Sequence, residues 1–206
     1  MSAPPKTILL ATHEEERAIR DAVRDVNPST LGPGRVLANL NHTEALLDLL
    51  ADPAVSDPIY ALPRPFTAAS VAAWITECEA ARRAGDALLI LTLSQDGVVY
   101  GYSKISVWPK QSSAELGGAL RAGLQNAGAG GAGAAHTIGW IFEHLRVRLI
   151  CLTAALDNAR STKLIDRMGF NRMGERDVTR VDGTIRRSHY WELTVDEWQH
   201  VRKANG

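Results

Sequence analysis

Gln125-Asn126-Ala127-Gly128-Ala129-Gly130-Gly131-Ala132-Gly133 lies between a stretch with strand character, Ser113 to Ala122, and one with helical character, Ala129 to Leu145. Four glycines fall within residues 128–133. Inside a helix each glycine costs about 0.5–1 kcal/mol relative to alanine, so this density needs a physical reason. A strand-to-helix junction is where an anion site is easiest to build. The first amides of a helix have no internal partners, and the helix dipole favours negative charge there. Small residues let phosphate oxygens reach those amides. The run therefore reads as a phosphate-binding loop. The competing reading is a helix of small residues packed tightly on a neighbour.

Outward from this loop the pattern has two halves. Upstream, Ala87 to Leu93 is apolar, Gln95-Asp96-Gly97 is a hairpin signal, and Val98 to Trp108 and Ser113 to Ala122 return as strands. Connections this short imply antiparallel neighbours. Downstream come the helix to Leu145, a short strand Leu149 to Thr153, a helix Asn158 to Met168 closed by Gly169, and a strand from Phe170. Asp182-Gly183 then turns the chain into a strand from Ile185 to Leu193, and Thr194 with Glu197 forms a capping box for a last helix. Before the hairpins lie a strand Arg35 to Leu40, an Asn41/Glu44 capping box, a proline-rich loop from Pro53 to Phe66, and a helix capped by Thr67 and ended by Gly85. The order predicts an α+β fold: a mixed, mostly antiparallel central sheet with helices on both faces. Residues 1–33, with a helical pattern from His13 to Val26, read as an N-terminal extension, and 34–206 as the main domain.

Bulk composition excludes several classes. The chain has 206 residues with Lys plus Arg equal to Asp plus Glu, so no broad basic face for nucleic acid is expected. No segment reads as a signal peptide or membrane span, which points to the cytoplasm. Cys78 and Cys151 sit in apolar runs and read as buried thiols. The histidines show no metal spacing, and His13-Glu14-Glu15-Glu16-Arg17 is not H-E-x-x-H. No metal is expected, and the oligomeric state, a homodimer included, stays open.

Two phosphate motifs fit the loop. Gly128, Gly130 and Gly133 satisfy G-x-G-x-x-G, the dinucleotide fingerprint, which would make the chain an NAD(P)-dependent oxidoreductase. Gln125, Gly128 and Gly130 satisfy Q-x-x-G-x-G. The latter resembles the acetyl-CoA signature of the GNAT acetyltransferase superfamily, R/Q-x-x-G-x-G/A. Ala114-Glu115-Leu116-Gly117, Ile141-Phe142-Glu143-His144-Leu145, Asn158-Ala159-Arg160-Ser161 and Met168-Gly169-Phe170 follow in the order seen in its RimJ/RimL-like branch. Asp52-Pro53, Pro65-Phe66-Thr67 and Trp74-Ile75 are similar to the N-terminal half of that branch. Residues 1–33 fall outside the resemblance, and Gly118-Ala119 stands where a bulkier aromatic pair is common.

The resemblance implies a GNAT fold and an acetyl-CoA-dependent N-acetyltransferase acting on a primary amine, either a protein N-terminus or a small molecule. It implies cofactor contacts at Leu120, Ala122, Gln125, Asn126, Ala127, Gly128, Ala129, Gly130, Gly131, Asn158 and Ser161. Glu115 is the candidate base, since an acceptor ammonium must lose a proton before it attacks. Ser161 is the candidate proton relay to the thiolate, because the tyrosine acid of many relatives is replaced here by Ile165. Asn158 can also simply cap its helix. Arg160, Lys163 and Arg167 suit either a cofactor phosphate or a solvated helix face. A catalytically idle CoA-binding regulator is the remaining alternative.

Overall fold

The computed structural model describes residues 4–59, 61–121, 123, 129–179 and 183–205. Its centre is a seven-stranded sheet of β1 (Arg35–Leu37), β2 (Ala87–Leu93), β3 (Val99–Trp108), β4 (Ser113–Leu120), β5 (Leu149–Ala155), β6 (Asn171–Thr179) and β7 (Ile185–Thr194). The spatial order is β1-β2-β3-β4-β5-β7-β6. Among the described pairs only β4 and β5 run parallel, joined through a helix as a parallel pair requires. The expected α+β architecture is what the chain adopts, with α1 (His13–Arg24), α2 (Thr43–Ala51), α3 (Pro53–Ser56), α4 (Ala68–Ala84), α5 (Ala129–Trp140), α6 (Ala159–Arg167) and α7 (Val195–Asn205) around the sheet.

Alternation along the strands divides the core in two. Leu88, Ile90, Ile105, Val107, Ala114, Ile150, Leu152, Trp191 and Leu193 face one way, against Ile19 and Val23 of α1, Ile138 of α5, Ile165 of α6 and Trp198 of α7. Leu89, Leu91 and Tyr102 face the other way, against Leu46, Leu49 and Leu50 of α2 and Val71, Trp74 and Ile75 of α4. The second cluster takes its buried residues of the sheet from β2 and β3, and only Ala119 near the end of β4 packs against it from the other long strands. The same face of β4, β5 and β7 is therefore left to other groups.

Local signals decide most ends. Thr67 and Ser70 form a reciprocal capping box at α4, and Gly85 closes the helix at φ +84. A Cβ on Gly85 would lie 2.7 Å from Cβ of Arg20, so the left-handed turn also admits α1. Thr194 and Glu197 exchange the expected capping bonds. Elsewhere the boundaries move. Asn39, not Asn41, is the cap: its side chain accepts from Asn41 N at 3.0 Å while His42 Nδ1 accepts from Asn39 N at 3.1 Å. This cap ends β1 at Leu37 and starts a 3₁₀ turn over Leu40–His42, so α2 begins at Thr43 without a side-chain cap. The proline-rich loop contains the short helix α3, where Asp52 accepts from Ala54 N and Pro53 occupies the first turn. The helix expected to Leu145 changes at Ile141 into a π-turn that ends on Arg146 at φ 59. Strand β4 stops at Leu120; Ala122 is outside the described residues.

The N-terminal segment is packed against this body over its described residues. Ile19, Val23 and Leu31 are at most 1% exposed within the first core cluster. Glu15 accepts from Ser112 Oγ at 2.6 Å and from Arg148 Nε at 2.7 Å, and Trp140 Nε1 donates to Thr30 Oγ1 at 2.9 Å. Truncating a fully buried isoleucine costs about 2–5 kcal/mol. Ile19→Ala should lower the unfolding free energy of the whole domain by that amount, seen as a lower urea midpoint in a single transition. A dispensable extension would leave the midpoint where it was.

Candidate functional site

The parallel strands β4 and β5 pair only at Ser113↔Leu149, Ala114↔Ile150 and Glu115↔Cys151. Beyond these, β4 continues along β3 through Leu116–Leu120, and β5 continues along β7 through Leu152–Ala155. The two strands pair at their starts and separate toward their carboxyl ends. Connectivity puts two helix starts at the open end: α5 after β4, and α6 four residues after Ala155. A gap between carboxyl ends of parallel strands is where α/β folds place ligands.

The gap opens into a cleft continuous with solvent. Its floor is the sheet face left uncovered by the second core cluster, with Lys104 and Ser106 of β3, Glu115 and Gly117 of β4, Thr153 of β5 and Ser188 of β7. Ile59 and Leu62 of the loop after α3, with Trp74 of α4, form one wall. Asn158 and Ser161 at the start of α6 stand at the other.

Glu115 lies in the last paired position before the strands separate and is 9% exposed. Its Oε1 accepts from Thr153 Oγ1 at 3.0 Å, which fixes the carboxylate at the mouth of the gap. The neighbouring Cys151 is fully buried; burial, then the negative charge of Glu115, push its thiol far above the ordinary range. Burial likewise raises the Cys78 thiol. Neither is a thiolate near neutral pH, so neither suits a covalent acyl intermediate.

Beside Cys151 in the register stands Glu192 of β7. It accepts from Lys6 N at 2.8 Å, Thr7 N at 3.0 Å and the Tyr190 hydroxyl. Lys6 N also donates to the Tyr190 oxygen, Lys6 Nζ to the carbonyls of Met173 and Glu175, and Arg176 to the Pro4 carbonyl. The N-terminal strap thus ties down the sheet face next to the cleft, through Arg176, which lines both.

Asn158 and Ser161, expected one turn apart, come together at the cleft; Asn158 Oδ1 accepts from Ser161 N at 3.1 Å and so caps α6. Leu120 ends β4 and packs over Gly101, where a Cβ would come within 2.5 Å of its Cδ2. Ala129 and Gly130 open α5. Gly131 follows, and a Cβ there would lie 3.2 Å from Leu164 Cδ1, so close packing of α5 on α6 accounts for this glycine. Gly133 has nothing within 4 Å to explain it. Gln125, Asn126, Ala127 and Gly128 are outside the described residues, as is Ala122. Arg160, Lys163 and Arg167 are exposed on α6. Among the described residues no group of His, Cys, Asp or Glu could hold a metal, and no helix is long and apolar enough to cross a membrane.

Sequence reasoning missed Thr153, Lys104, Arg176 and the strap. Thr153 and Lys104 reach the site through strand register, and the strap through contacts more than 160 positions apart in the chain. No local motif marks them.

A sequence profile described as an acetyltransferase (GNAT) domain matches residues 36–171. No curated protein matches by sequence. The ribosomal-protein-S5-alanine acetyltransferase from Vibrio fischeri superposes with a TM-score of 0.66 at 15% identity, covering 80% of this chain and 93% of its own. RimJ of Mycobacterium smegmatis, solved with CoA-disulfide, gives 0.67 at 20% identity, covering 84% and 88%. The microcin C7 self-immunity acetyltransferase MccE, solved with acetyl-CoA and AMP, gives 0.67 at 16%, covering 82% and 98%. At these identities the likeness is one of fold.

The Glu192 knot has a measurable pH signature. Burial opposes its ionisation, but the bonds from Thr7, Tyr190 and Lys6 prevail and hold its carboxyl below the usual 4.5. A depressed folded value stabilises the fold above the unfolded value, and the gain is lost as pH falls through the folded value. Glu192→Gln should cost about 1.5–3 kcal/mol at pH 7, the worth of charge-assisted bonds. The deficit against wild type should shrink steadily below pH 4.5 in urea titrations. A deficit independent of pH would deny the carboxylate this role.

Proposed function

The chain belongs to the GNAT acetyltransferase family, and we propose that it moves an acetyl group from acetyl-CoA to a primary amine within one ternary complex. The observation that carries this reading is the separation of β4 from β5 immediately after Glu115, with two helix starts at the open end. The dinucleotide alternative is not favoured: a doubly wound parallel sheet is its setting, and here one of the six strand pairs among the described residues is parallel.

In this reading the loop Gln125 to Gly130 and the first turn of α5, to Gly131, hold the pyrophosphate through backbone amides. Leu120 and Ala122 border the cofactor on the β4 side, and Asn158 and Ser161 on the α6 side. Amides of Leu116–Ala119 that face the gap polarise the thioester carbonyl. Glu115, oriented by Thr153, takes the proton from the acceptor ammonium, directly or through one water. The freed nitrogen lone pair forms the C–N bond as the C–S bond breaks. Ser161 passes a proton to the departing sulfur, and the second proton shed by the acylated nitrogen replaces it, so the products are the amide, the free thiol and the one proton taken up by Glu115. The acceptor is a peptide N-terminus or a small amine that enters over the floor of β3 and β4. A cytoplasmic setting suits the reading, because both described cysteines are free thiols.

Free-thiol release from acetyl-CoA should be seen in a screen of peptide N-termini, amino acids, polyamines and aminoglycosides. Binding of CoA with no release from any amine would instead identify an idle CoA-binding regulator. Positioned general bases contribute about 10²–10⁴-fold. Glu115→Gln should lower kcat by that factor at neutral pH while the CoA dissociation constant holds. Ser161→Ala should lower kcat as well, and normal turnover by either variant removes that residue from the mechanism.

A further inference from the structure

Resting on the acetyl-transfer reading, we infer that the acceptor carries an anionic group, a carboxylate or a phosphate, beside its amine, and that Lys104 binds it. Lys104 lines the cleft and is half-buried. Its ammonium makes no hydrogen bond or ion pair with any described residue. Its electrostatic neighbour is the Cys78 thiol, which burial keeps neutral. A cleft-lining ammonium with no paired counter-charge among the described residues attracts a ligand anion.

The register places this charge relative to Glu115. Ser106 is opposite Glu115, and Lys104 is opposite Gly117, two residues along on the same face. Diagonal neighbours of this kind stand about 7–8 Å apart, somewhat less at Cβ. Gly117 leaves the floor between them clear, because a Cβ there would meet only the Lys104 carbonyl, at 4.0 Å. A compact molecule can thus present its amine to Glu115 and an anion to Lys104. The rest of the lining points the same way. Arg176 and Arg186 add positive charge and Asp177 negative, with Arg186 paired to Asp157. Once Glu115 is assigned to the amine, the charge left for the remainder of the acceptor is positive. Polyamines and aminoglycosides bring further cations against Lys104 and are the wrong class.

The test is acetyl-CoA turnover with matched acceptor pairs: the peptide Ala-Glu-Ala amide against Ala-Gln-Ala amide, and an aminoalkyl phosphate against the corresponding amino alcohol. A charge-assisted contact predicts that the acidic member of at least one pair is favoured about 10- to 100-fold in kcat/KM. The favoured pair shows whether a carboxylate or a phosphate is the natural anion. Lys104→Met keeps the apolar stem and should bring that ratio close to one. Lys104→Arg should retain the preference, and Lys104→Glu should reverse it toward a Lys-bearing peptide twin. Melting temperature and CoA affinity, measured on each variant, separate loss of preference from loss of fold. A wild-type ratio near one for both pairs, or a ratio that survives Lys104→Met, overturns the inference and leaves acetyl transfer standing. No thiol release from any acceptor overturns the acetyl-transfer reading and this inference with it.

Discussion

The structure depends on a parallel ladder that is only three residues long. Ser113, Ala114 and Glu115 pair with Leu149, Ile150 and Cys151, and then the two strands part. Each strand stays anchored on its outer side, β4 by an antiparallel ladder to β3 and β5 by one to β7. The separation is therefore built into the sheet rather than left to a loose edge. Backbone groups on the inner side of Leu116–Ala119 have no strand partner across the gap, and polar groups of this kind need to be satisfied. A slot lined by main-chain N–H and C=O groups, with Glu115 at its base, follows from that one feature.

Division of labour between the sheet faces follows from the same point. The face carrying Ile105, Ala114, Ile150 and Leu193 is covered by α1, α5, α6 and α7 and supplies most of the core. The opposite face is covered by α2 and α4 over β2 and β3. Over β4, β5 and β7 it carries Glu115, Thr153, Tyr190 and Glu192. Polar groups there are held by one another and by the strap at Lys6 and Thr7. The N-terminal segment, outside the part matched by the family profile, contributes both a core helix and this strap.

Much of the architecture was legible in local chemistry. Gln95-Asp96-Gly97, Thr67, Gly85 and the Thr194/Glu197 pair each act within a few residues, and each turn or cap forms where its chemistry allows. The Asn39 cap was missed because several nearby residues could cap equally well, and only the side-chain geometry chooses among them. The glycine-rich run had two explanations: Gly131 answers to the packing of α5 on α6, Gly133 meets no neighbour that explains it, and Gly128 lies outside the described residues. Glu115, Asn158 and Ser161 were legible through motif order and do converge on the cleft. Lys104, Thr153 and Arg176 were not, because strand register and strap contacts bring them there, and neither leaves a mark in the nearby sequence.

Hydrogen exchange of the β4 backbone, with and without acetyl-CoA, tests most directly whether the gap between β4 and β5 is where the thioester is held. Amides in Leu116–Ala119 that face the gap should exchange markedly more slowly when acetyl-CoA is present, while those of Ser113–Glu115, already in the ladder, should change little. If acetyl-CoA binds and slows exchange elsewhere but leaves Leu116–Ala119 untouched, the thioester is not held in the gap, and the mechanism built on it is wrong.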